Sequence, residues 1–252
     1  MAAAAPAQTI DDVIRELQDI VAWARDEPSR IGYFAALYLK VTISIKQGID
    51  DGVFEDGERM ERFDVLFASR YLEALRQYRA GDAPSECWQY AFDATQQWRP
   101  IVLQHLLLGI NAHINLDLGI AAAQTSPGDD LDDLKADFDR VNTTLAELVD
   151  SVQRDLAAIW PLQRWFNRYL GSVQEKLINF SIEKARDAAW DLARQLNAAD
   201  AGDWPGIIRD KDQGVAQLAT LIGFPGPVAA SVGLAIRLGE RGSISDKIAI
   251  LD

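Results

Sequence analysis

The segment Ile101-Val-Leu-Gln-His-Leu-Leu-Leu-Gly-Ile-Asn-Ala-His-Ile-Asn-Leu-Asp-Leu118 constrains this chain most. It is apolar in almost every direction around a helix, yet it carries Gln104, His105, Asn111, His113, Asn115 and Asp117. A helix apolar nearly all round is buried, so other helices must wrap it. Its polar groups then need partners inside the protein, because an unpaired buried polar group costs about 1–3 kcal/mol. At about 100° per residue, His105, Gly109, His113 and Asp117 drift slowly round one face, while Gln104, Asn111 and Asn115 gather on another. Gly109 lies midway between the two histidines of the chain and removes bulk, so another backbone or a ligand can approach.

The rest of the pattern is helical. Thr9-x-x-Asp12 resembles a capping box and precedes Ile10, Val13, Ile14, Leu17 and Val21. Residues 30–51 alternate like a strand from Leu37 to Lys46, but Phe34, Tyr38, Val41, Ile45 and Ile49 also repeat at helical spacing. The stretch is too long for a typical strand, and a helix is expected. Further helices are expected over 57–80, 84–98, 100–122, 130–159, 173–197, 207–222, 226–239 and 244–251. The fold class is therefore all-α, a soluble bundle of about eight to ten helices around the 100–122 helix. Residues 1–8 read as a frayed tail, 9–198 as the main domain, 198–206 as a linker candidate, and 199–252 as a helical cap on the same domain.

Composition excludes several functions. There are 38 acidic and 25 basic side chains, a net charge of −13, which disfavours nucleic acid and anionic membrane as partners. The single Cys87 cannot form an internal disulfide, and two histidines cannot make a three-histidine zinc site. The polar residues of 101–123 and the Gly223-Phe-Pro-Gly-Pro227 break in 215–238 argue against a membrane span, although the latter hairpin could lie on a lipid surface. The Ala-rich start has no basic n-region, so the cytoplasm is the expected location. Self-association is left open. P-loop, dinucleotide and nucleophile-elbow patterns do not occur.

Two readings of the polar helix compete. In the first, His105, His113, Asp117, Asn111 and Asp64 form a site in a small-molecule enzyme acting on a small, largely apolar ligand by acid/base or metal chemistry. His113 and Asp117, four residues apart, can share an ion, with Asp137 as a third ligand from another helix. Zinc, manganese or iron would suit such a set. His105 lies about 12 Å along the axis from His113, so it would need another ion or a carboxylate such as Asp64 or Asp137. In the second reading the whole set is a hydrogen-bond network that fixes helix packing.

The runs Arg62-Phe-Asp-Val-Leu-Phe-Ala-Ser-Arg-Tyr-Leu-Glu-Ala74, Leu103 to Leu118, Ala136-Asp-Phe138 and Ala185-Arg-Asp-Ala-Ala-Trp190 resemble the bacterial domain-of-unknown-function family 5995 over about residues 30–250. The resemblance implies a shared fold and polar helix but no reaction. It singles out Asp64, Arg70, His105, Asn111, His113, Asp117, Asp137, Arg186 and Trp190.

One rival motif needs weighing. Asp129-Asp-Leu-Asp-Asp133 fits the magnesium-diphosphate pattern of class I terpene cyclases, and Asp139, Thr143 and Glu147 fit the spacing of that class's second motif. Those motifs normally lie far apart on facing helices, whereas here they share one. An acidic first turn after a Pro-Gly break is ordinary helix capping.

Overall fold

The computed structural model describes residues 6–126, 130–160 and 182–252. Thr9 and Asp12 close the expected capping box at the start of α1 (Ile10–Asp26). The ambiguous stretch is helical: α2 (Ile31–Asp50) buries every residue from Ile31 to Leu39, so its alternation reflects burial on all sides rather than a pleat. Asp56 caps α3 (Gly57–Ala80) and left-handed Gly81 ends it. There follow α4 (Glu86–Thr95) and the central rod. That rod is α5 (Val102–Ala112), a π turn (His113–Asp117) and α6 (Leu118–Thr125). Then come α7 (Leu131–Ile159), α8 (Ile182–Ala198), α9 (Trp204–Gly223), α10 (Pro227–Gly239) and α11 (Ile244–Leu251).

No strand occurs among the described residues, where eleven α-helical elements are found. The count exceeds the expected range because the π turn divides the central rod. Trp204 and Pro205, assigned to a linker candidate from the sequence, form the first turn of α9, where proline costs no hydrogen bond. The expected start of a helix at Val173 lies outside the described residues.

The central rod is enclosed as its composition requires: α2, α4 and α9 pack on α5, and α3 and α8 pack on both the π turn and α6. Val102–Thr125 is long and apolar enough to cross a membrane, but 83% of its apolar window is buried inside the protein. α11 docks on α1, α2 and α7. By contrast, α10 buries none of its residues, and Val228, Leu234 and Leu238 are exposed.

Buried carboxylates tie the second half of the chain to helix ends in the first. Ser85 makes no side-chain cap on α4. Instead Asp212 of α9 accepts from Glu86 N at 2.6 Å and Cys87 N at 3.0 Å. Glu240, just past α10, accepts from Val102 N at 2.7 Å and from Arg237 and Lys247. Cys87 itself is fully buried, and burial, with Asp212 adding, pushes its thiol pKa up, so it is an inert packing residue.

Gly119 sets the crossing of α6 and α8, because a Cβ there would collide with the Ala189 carbonyl. Gly214, inside α9, faces open space. Urea melts should show Gly119→Ala losing at least about 1–3 kcal/mol through overpacking. Gly214→Ala should gain about 0.5–1 kcal/mol from helix propensity.

Candidate functional site

The polar helix has two faces with different partners. On one, every polar side chain is committed to structure. Asn111 Nδ2 donates to the Val215 carbonyl at 3.0 Å, and Asn115 Nδ2 donates to Asn111 Oδ1 at 3.0 Å. Gln104 accepts from Ile101 N and donates to the Ile222 carbonyl at 2.8 Å. These bonds dock α9 on the rod.

The other face centres on Asp117. Its Oδ1 accepts from Arg70 Nε of α3 at 2.9 Å, and its Oδ2 accepts from Trp88 Nε1 of α4 at 2.8 Å. His113 Nδ1 lies 3.2 Å from the same Oδ2. The π turn, closed by Leu118 N–H on the His113 carbonyl, supplies this alignment. A π turn is often found at functional sites. The His113 ring stacks on Phe67 with centroids 3.6 Å apart and meets Tyr38 edge-on at 4.4 Å.

Burial holds the His113 pKa below its ordinary value of 6.5, against the opposing pull of Asp117. The neutral ring therefore carries its proton on Nδ1, directed at Asp117, and leaves the Nε2 lone pair free. His113 Nε2 has no partner among the described residues.

Three more buried oxygens nearby are orphaned: Tyr38 Oη, Tyr71 Oη and Asp64 Oδ2. Thr42 lies close enough to favour the Tyr38 phenolate, but not in good hydrogen-bond geometry. Asp64, Phe67 and Tyr71 share one face of α3 at helical spacing. The charge of Asp64 raises the Tyr38 pKa, which places the two groups in one field. Burial, with Glu61 adding, pushes Asp64 up to about 7.

The remaining candidates lie elsewhere. His105 is buried beside Tyr33, and both ring nitrogens lack a partner in good geometry, so neither Asp64 nor Asp137 serves it as proposed from the sequence. Burial, reinforced by Arg30, Arg237 and Lys247, lowers its pKa to about 3. The space at Gly109 is taken by the Phe34 ring. The set His113, Asp117 and Asp137 does not assemble as metal ligands: among the described residues no group of three or more His, Cys, Asp or Glu could hold a metal ion. The physical reason is that Asp137 is already used. It accepts from Glu55 N at 2.7 Å, Asp56 N at 3.1 Å and Arg59 at 3.3 Å, clamping the turn before α3. Arg186 donates to the Phe138 carbonyl and lies over the Phe138 ring, against which Trp190 also packs. Of the diphosphate motif, Asp129 lies outside the described residues, Asp132 and Asp133 are exposed, and Asp139 pairs with Lys135 at 2.6 Å.

The family model described as Family of unknown function (DUF5995) matches residues 10–225. The chain belongs to that family. The match begins with α1, earlier than the resemblance in the sequence suggested, and ends between α9 and α10. In this DUF5995 chain the Asp117 centre, Asp64 and the Asp137 clamp all fall within the matched region. No curated protein and no solved structure matches the chain.

Sequence reasoning missed Tyr38, Phe67, Tyr71 and Trp88 as parts of the centre. Tyr38 is visible in the sequence only as a member of an apolar stripe, and Phe67 and Tyr71 only within the 62–74 run that carries the resemblance. Trp88 carried no periodic signal that separated it from the other tryptophans.

Two outcomes are expected. The native state keeps the Asp64 proton that the unfolded chain releases near pH 3.8, so this group's contribution is full below about pH 4 and is lost as pH rises towards about 7. His105 and His113 work in the opposite direction, and their contribution is lost as pH falls below 6.5. Asp64→Asn should therefore gain on the parent in urea stability between about pH 4 and 7, and a pH-independent difference would contradict this environment. Asp137→Ala should cost about 3–5 kcal/mol, because it strands two backbone N–H groups and a half-buried guanidinium.

Proposed function

We propose that this protein performs proton transfer on a small, largely apolar molecule, with His113 as general base. Asp117 orients its ring, and Asp64 is the acid that can supply a proton near neutral pH. One observation carries the reading: His113 Nε2, Tyr38 Oη and Tyr71 Oη are buried without a partner among the described residues on rings whose centroids lie within 6.3 Å of the His113 ring, and Asp64 Oδ2, equally unpartnered, acts on Tyr38 through its charge. Left dry, four such atoms would cost roughly 4–12 kcal/mol, comparable to the whole stability of a domain. A packing network would not retain them, whereas a site that receives a polar-headed guest would. Phe34, Phe67 and Trp88 pack round the His113 ring, so a guest reaching Nε2 would meet aromatic surface, which suits an apolar body. The base and its orienting carboxylate follow the usual logic of a positioned histidine.

Asn111, Asn115 and Gln104 support the structural reading, but only for their own face of the rod. A divalent metal is no longer part of the proposal.

The test uses two measurements. Phenol, indole and cyclohexanone are titrated against the full chain while the His113 ring nitrogens are followed by long-range proton–nitrogen NMR. A neutral, Nδ1-protonated ring at pH 7 whose Nε2 signal moves with at least one probe is expected. A cationic ring, or no response to any probe, overturns the proposal. In parallel, Tyr38→Phe should leave stability within about 0.5 kcal/mol of the parent or raise it. A loss of about 1–3 kcal/mol would mean that the hydroxyl is bonded within the native core.

A further inference from the structure

We propose that a cleft remote from the His113 centre binds a small anion, a carboxylate or phosphate monoester carried on an aromatic body. The cleft has a volume of about 330 Å³ and lies where the end of α1, the start of α2 and the ends of α3 and α4 meet. That volume falls at the lower end of the range for small-molecule sites, about 300–1,000 Å³. None of its lining residues belongs to the His113 centre.

Two guanidiniums face the cleft, and each is held by something other than a carboxylate. Arg79 lies over the Trp23 ring, its central carbon 3.7 Å from the ring centroid. Stacking fixes the plane of the group without using its N–H edges. Arg30 Nη1 donates to the Thr95 carbonyl at 3.0 Å, which anchors that side chain, while its shielded Nε has no partner. Among the described residues neither guanidinium has a carboxylate within ion-pair distance. In a chain with 38 acidic and 25 basic side chains, two guanidiniums line one cleft without a direct ion pair among the described residues. A planar fork held rigid with free N–H edges is the geometry that recognises carboxylate and phosphate in pairs of hydrogen bonds.

The surroundings favour the same charge. The first turn of α2 opens here, its N-cap Arg30 makes no side-chain cap, and Ile31 N has only a long 3.4 Å contact to Ser29 Oγ. The positive end of that helix adds to the two guanidiniums. Gln96 contributes a neutral polar wall, and Tyr78 an aromatic one. Two carboxylates border the site, each held by neutral donors: Glu27 accepts from Trp23 Nε1 at 2.9 Å, and Asp93 from Tyr78 at 3.3 Å and Gln89 at 3.0 Å, so the two guanidiniums and the helix end must outweigh their charge. Burial lowers the Arg79 pKa against the field of Glu27, but the shifted group is still a cation at neutral pH.

Isothermal titration of the full chain with phenyl phosphate, benzoate, inorganic phosphate and phenol tests the proposal. Phenyl phosphate or benzoate should bind one to one, and phenol should not. Arg79→Gln, whose side chain reaches solvent, and Arg30→Gln should each weaken binding about tenfold or more, with melting temperature and helix content unchanged for Arg79→Gln. Trp23→Leu, which removes the platform under Arg79 but neither charge, should weaken binding as well. The proposal falls if no anion binds, or if anions bind equally well to the parent and to Arg79→Gln. Equal affinity for inorganic phosphate and phenyl phosphate would overturn the aromatic part of the ligand assignment.

Discussion

A helix end buried in protein leaves backbone N–H groups that water cannot reach, and each must find an acceptor. Three of the helix entries in the first half of this chain solve the problem with carboxylates from far along the sequence. Asp137 takes the N–H groups of Glu55 and Asp56, Asp212 those of Glu86 and Cys87, and Glu240 that of Val102. Each contact fixes the position of a distant element, and at α4 and α5, whose N-cap residues make no side-chain cap, it also completes the helix start. The rod at the centre is gripped in this way through Glu240 at its start and through Asn111 along its flank.

With its frame fixed, the rod can carry polar groups that are not fully paired. Its two polar faces obey different rules. One spends the amides of Gln104 and Asn111 on the backbone of α9, with Asn115 donating to Asn111. The other gathers Arg70, Trp88 and His113 around one carboxylate and leaves the outer nitrogen of the histidine free among tyrosine hydroxyls and Asp64. The amides on one face hold the packing of the rod, while the histidine on the other keeps a ring nitrogen without a partner among the described residues.

Much of this was legible in the sequence. Apolar residues in nearly every direction forced the 101–118 segment into the interior, and the capping box at Thr9 and the break at Pro227 marked helix ends through local chemistry. The pair His113 and Asp117 followed from spacing alone. What could not be read was partnership across the chain. Asp137 and Asp212 are ordinary helical carboxylates in sequence, and only the fold brings backbone N–H groups to them. In sequence alone Asp137 is indistinguishable from a metal ligand. Trp88 and Tyr38 joined the centre through tertiary packing, which leaves no periodic trace, and the Arg30–Arg79 cleft assembles from four separate helix ends.

A single π turn amounts to an α-helix with one residue to spare. In an α-helix, four residues overshoot a full turn by about 40°. In the wider turn they come closer to completing one, and His113 and Asp117 stand nearly in line along the rod. The surplus is absorbed where it arises, so α6 downstream keeps the phase that turns Gly119 towards Ala189. The chain could therefore lose one residue between His113 and Asp117 without re-phasing the α6–α8 contact, and would forfeit only the alignment of the dyad. Insertion and deletion at this point are thus a route by which the chemistry of the centre can be gained or lost on an unchanged scaffold.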